Sequence, residues 1–95
     1  MVERITKTDV NVAEAAWRAA REAVAKEQLL WATLNGSEKP IIKKLLDDGV
    51  PWEQAEASFE RLQEVHRSRI AQAWQHMDEC ADRYRDLLAK FKHGK

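Results

Sequence analysis

At 95 residues the chain is long enough for one domain and too short for a deep core. Sixteen Lys/Arg balance sixteen Asp/Glu, eight of each sign on either side of residue 50, so bulk attraction to nucleic acid or anionic membrane is excluded as a basis for function. Cys80 is the single cysteine, which rules out an intrachain disulfide, and 44% hydrophobic with 34% charged residues marks a globular chain rather than a disordered one.

The first nine residues carry no clear periodicity and are expected to be frayed or extended. They contain no apolar leader, and no later apolar run approaches membrane-spanning length, so a cytoplasmic protein is expected. A first helix is predicted over about 11–34. Asn11 is a candidate cap with Glu14 as its reciprocal partner, and Asp9 competes for that role. Along this helix Val10, Ala13, Trp17, Ala20, Val24, Trp31 and Leu34 follow steps of three and four, with one gap at Glu27. The opposite face alternates in sign through Glu14, Arg18, Glu22 and Lys26, each four residues from the next. Asn35-Gly36 is the expected end, because both residues tolerate a left-handed C-cap.

Ser37 then opens a short helix over about 38–48. Pro40 falls in its first turn, Ile41, Ile42, Leu45 and Leu46 make its apolar face, and Gly49 closes it. Pro51 introduces a third helix over about 51–91. Its forty-odd residues hold no glycine and no further proline, and they predict a helix roughly 60 Å long. Two apolar registers are visible. Toward the C-terminus, Ile70, Met77, Tyr84 and Phe91 repeat at one heptad position, and Trp74, Ala81 and Leu88 at another. Toward the N-terminus the apolar positions are Trp52, Ala55, Phe59, Leu62 and either Val65 or His66. Joining the two requires an extra four-residue step near His66, either a stutter in a continuous helix or a break. With no helix breaker present, a continuous helix is favoured. The fold class expected is therefore all-α, with three helices running long, short and very long: a helical hairpin or bundle with an extended C-terminal helix. The three together read as a single helical domain over 1–95.

Few residue constellations suggest chemistry. His76 and Cys80 lie one turn apart, a spacing that fits two ligands on one metal, but a third and fourth ligand are not supplied within reach on the same helix. The Glu-x-x-His spacing of di-iron bundles does not occur. Glu53, Glu56, Glu60 and Glu64 form an acidic stripe at the start of the third helix. It complements the helix dipole, with Lys39, Lys43 and Lys44 as possible counter-charges, and alternatively offers a docking surface for a basic partner. Residues 41–60 carry a faint helix-turn-helix pattern around Gly49, but the would-be recognition helix begins with glutamates that repel phosphate. Lys90, Lys92, His93 and Lys95 read as cations at a helix C-terminus. No nucleophile-and-base pair or phosphate-cradling glycine loop is present, so the expectation is a non-enzymatic protein without cofactor or metal.

What remains is recognition. The four tryptophans, at 17, 31, 52 and 74, all fall on apolar faces, and tryptophan is enriched where binding energy concentrates. Trp74 is the leading candidate for a partner contact and Trp31 the second. The expected function is a small protein-interaction module of the inhibitor, antitoxin or immunity, secretion-chaperone or adaptor kind. It would dock a partner helix, or a second copy of itself, on Ile70, Trp74, Met77, Tyr84 and Leu88. The flanking charges would be Arg67, Arg69, Arg83 and Arg85, with Glu53, Glu56 and Glu60 as an additional contact. A DNA-binding regulator using 41–60 and a metal protein using His76 and Cys80 are the alternatives.

Overall fold

The computed structural model describes residues 4–93. Residues 1–3 of the expected frayed segment and Lys95 of the expected cationic tail lie outside the described residues. The fold is all-α, with no strand among the described residues: α1 (Lys7–Gly36), α2 (Glu38–Asp47) and α3 (Trp52–His93).

Helix α1 starts four residues earlier than expected, and its cap is not Asn11. Thr6 and Asp9 close a reciprocal box. The Asp9 amide donates to Thr6 Oγ1 at 3.2 Å, and the Thr6 amide donates to Asp9 Oδ2 at 2.9 Å. Two amides that have no intrahelical acceptor are thereby satisfied. Asp9 thus acts three residues inside the helix as the acidic member of the box. The other end also departs from expectation. Neither Asn35 nor Gly36 has a positive φ, and α1 instead tightens into a turn, with the Ser37 amide donating to the Leu34 carbonyl at 3.1 Å.

Among the described residues the left-handed cap occurs once, at Gly49 (φ 90°), after α2. The Val50 amide bonds the Leu45 carbonyl at 2.9 Å, and the Gly49 amide bonds that of Leu46 at 3.0 Å. This pair of bonds is a Schellman motif, and it requires a conformation that only glycine adopts cheaply. Ser37 precedes α2 but makes no side-chain cap bond. After the turn, the Pro51 carbonyl accepts from the Ala55 amide at 2.9 Å and starts α3.

Two compact units divide the chain, one pairing residues 4–24 with 72–93 and the other comprising residues 25–71. In the first, Val10, Ala13, Ala20 and Val24 of α1 are buried, and Trp17 stacks on Tyr84 with ring centroids 5.8 Å apart and planes 20° apart. Arg21 lies over the other partner of that stack, 5.0 Å from the Trp17 ring centre. In the second unit the buried side chains are Ala55 and Phe59. Burying Phe59 is worth about 1.5–3 kcal/mol, a large share for so thin a core. The helices of this unit run antiparallel: Asn35 meets Gln63 at 3.0 Å while Trp31, one turn earlier, meets Arg67, one turn later.

Helix α3 is unbroken through His66 and keeps one register. From Phe59 onward its shielded positions include a continuous row of Phe59, Gln63, His66, Ile70, Ala73, Met77, Cys80, Tyr84, Leu87 and Phe91, with Ala81 and Leu88 half-buried beside it. These steps alternate four and three, the heptad spacing of a packed helix seam. The four-residue step expected near His66 is therefore absent. Leu62, expected inside, is exposed (43%); of the two alternatives for the next apolar position Val65 is exposed (56%) and His66 half-buried, and Gln63 takes the place between Phe59 and His66. A polar residue holds that place because the Asn35 amide oxygen accepts its hydrogen bond. Glu27, the gap in the α1 pattern, likewise sits half-buried in line with Val24 and Trp31.

Candidate functional site

The residues expected to form one docking face fall into both units. Glu53, Glu56, Glu60, Arg67, Arg69 and Ile70 belong to the unit of residues 25–71, and Trp74, Met77, Tyr84 and Leu88 to the other.

In the unit of residues 4–24 and 72–93, Trp74 is 42% exposed, whereas Met77, Tyr84 and Leu88 are half-buried. Tyr84 is engaged by Trp17 inside the unit. Trp74, Ala81 and Leu88 repeat every seven residues, one position beyond Ala73, Cys80 and Leu87. They form an apolar row flanking the seam rather than the seam itself. Such a flank is where a helix meets a second neighbour, and charged residues usually occupy it. Here the row is carbon, with a tryptophan at its exposed end. The expected cation Arg85 is spent within α3, donating to Asp82 Oδ1 at 2.7 Å and to the Ala81 carbonyl at 3.4 Å.

A second feature of this unit is a cleft of about 610 Å³ lined by residues including Ile5, Val12, Ala13, His76, Cys80 and Arg83. His76 Nε2 lies 3.7 Å from Cys80 Sγ, so the two side chains do meet as their spacing suggested. No group of three or more His, Cys, Asp or Glu residues is arranged to hold a metal among the described residues. Asp9, which also lines the cleft, has its carboxyl held below the usual carboxylate range. The Thr6 amide and hydroxyl are the main causes, and the nearby positive charge of Arg83 adds to them.

In the unit of residues 25–71, Glu53, Glu56 and Glu60 are all exposed. No ion pair links this stripe to Lys39, Lys43 or Lys44 among the described residues; the acidic pairing there is Glu64 with Arg67, one turn apart on α3. Arg67 also lies over the Trp31 ring, 5.7 Å from its centre. Both Arg67 and Trp31 are thus occupied within the unit. Arg69 is exposed and Ile70 half-buried.

Sequence reasoning passed over α2 and Trp52 as a surface. Trp52 is 54% exposed and Leu46 38%, and with Glu38, Lys39, Ile42 and Lys43 they line a cleft of about 360 Å³. The signal was present in the four-residue spacing of Ile42 and Leu46 beside that of Lys39 and Lys43. It was read as core because Trp52 extended the apparent apolar face of α3.

No helix among the described residues is long and apolar enough to cross a membrane. Comparison with protein-family models, characterised proteins and solved structures found no match.

Proposed function

We propose that this chain is a non-enzymatic interaction module that binds another protein through the apolar flank of α3 at Trp74. The observation that carries the reading is the row Trp74–Ala81–Leu88, which lies beside an already formed seam and leaves a tryptophan 42% exposed at a heptad flank. Exposed tryptophan on a rigid helix presents a large contact area with few rotamers to freeze, a combination that favours a binding hot spot. A helix of the partner laid along this row would complete the shielding of Leu88 and cover Trp74. An inhibitor or adaptor role fits a module of this size, since such proteins act by occupying a surface.

The test compares the tagged wild-type chain with Trp74→Ala in cells of its own source. The expected result is one stoichiometric partner that Trp74→Ala releases while helicity is unchanged. Retention of that partner by Trp74→Ala, or a wild-type chain that captures nothing and stays monomeric by light scattering, contradicts the reading.

A further inference from the structure

We infer that the cleft between α2 and Trp52 is a second docking site, built for an acidic amphipathic helix of another protein. The inference rests on the reading of the chain as a binding module and adds a separate surface with its own partner chemistry.

The floor of the cleft is apolar, formed by Ile42, Leu46 and Trp52. At about 360 Å³ it exceeds twice the roughly 150 Å³ that accommodates a benzene-sized group, so it has room for two large side chains. Trp52 has no aromatic or cationic ring partner among the described residues, and more than half of it faces solvent.

The rim supplies the polarity. Lys39 and Lys43 stand one helical turn apart on the cleft side of α2, and neither has a carboxylate within ion-pair distance among the described residues. Two cations at that spacing repel by a few tenths of a kcal/mol. Lys39 carries a further cost, because it occupies the first turn of α2, where the helix dipole disfavours positive charge. Glu38 is the single acid on the lining, which leaves the rim with a positive excess. The complementary ligand presents bulky apolar side chains one turn apart, flanked by Asp or Glu that reach Lys39 and Lys43. A basic helix would instead face two like charges.

The probe is a random peptide library displayed on phage and selected on the full-length chain. Recovered peptides are then titrated against wild type, the double reversal Lys39→Glu/Lys43→Glu, and Trp52→Ala. All three positions are exposed, so both variants are expected to keep wild-type helicity. The inference expects peptides with Asp or Glu bracketing bulky apolar residues at helical spacing. The double reversal should weaken them about tenfold, about 1.4 kcal/mol, and Trp52→Ala should abolish binding. Amide shifts should change at residues 38–52. Neutral or basic consensus peptides, unchanged affinity in the double reversal, or no recovered peptides would each overturn it. So would a wild-type dimer that Trp52→Ala converts to monomer, since a second copy would then own the cleft. Failure here while Trp74→Ala still releases the cellular partner leaves the interaction-module reading standing and removes only this site.

Discussion

At the level of single residues, the helix ends make the sharpest claims. Thr6 and Asp9 satisfy each other's amides, so Thr6→Ala should lower the unfolding free energy by about 1 kcal/mol, measurable by urea denaturation. Asp9 adds a pH signature. Its carboxyl lies below the usual carboxylate range in the folded chain, so its contribution is complete above about pH 4 and is lost as pH falls through the lowered value. The stability gap between wild type and Asp9→Asn should therefore be full at neutral pH and shrink in acid. A gap that widens in acid would show the assigned direction to be wrong. The two described glycines should behave oppositely. Gly49 has φ 90°, and an alanine there is strained by about 1–2 kcal/mol. Gly36 is helical with open space where a Cβ would go, so Gly36→Ala should raise stability, by up to about 1 kcal/mol. Equal effects at both sites in thermal melts would contradict the cap assignment. The sequence marked both glycines as stops, because residue type cannot tell a left-handed glycine from a helical one.

Among the elements, α1 and α2 were legible as helices because their apolar residues recur at steps of three and four between recognisable stops. The α1 stripe from Val10 to Leu34 is shielded as its spacing implied, with Glu27 filling the gap. Helix α3 was harder to read. Two of its seam positions are Gln63 and His66, so the apolar pattern slipped to Leu62, left Val65 and His66 as alternatives, and implied a change of register that is absent. Polar seam residues reveal themselves only through their partners, and Asn35, twenty-eight residues away, was needed to recognise Gln63. His66 yields a prediction at this scale. Its Nδ1 is buried without a hydrogen-bond partner among the described residues, and so is Glu27 Oε2. Replacing the imidazole by a side chain that asks for no partner, His66→Leu, should raise stability by about 1 kcal/mol. By contrast Phe59→Ala should cost about 3–5 kcal/mol, because Phe59 is one of the two buried side chains in its unit. A destabilised His66→Leu would mean that the imidazole holds a partner that its surroundings do not supply.

For the molecule as a whole, charge neutrality and helical periodicity reached the fold class, and the lack of chemical motifs pointed to recognition. Which side chains stay exposed was only partly legible. Tyr84, Arg67 and Trp31 looked available in the sequence, yet ring stacking and cation–π contacts occupy them. Trp52 looked interior and stands in solvent. The position of Trp52 and the shift of Trp74 from seam to flank reflect a limit of the pattern. A heptad pattern identifies the apolar side of a helix to within one position, and one position rotates a side chain by about 100°, enough to move it from seam to flank. At Trp74 seam and flank are both apolar, and the ring is 42% exposed. The most direct measurement is the dissociation constant of the captured partner for wild type and for Trp74→Ala, at matched helicity. A loss of about tenfold or more agrees with α3 docking through its flank; identical constants would contradict it.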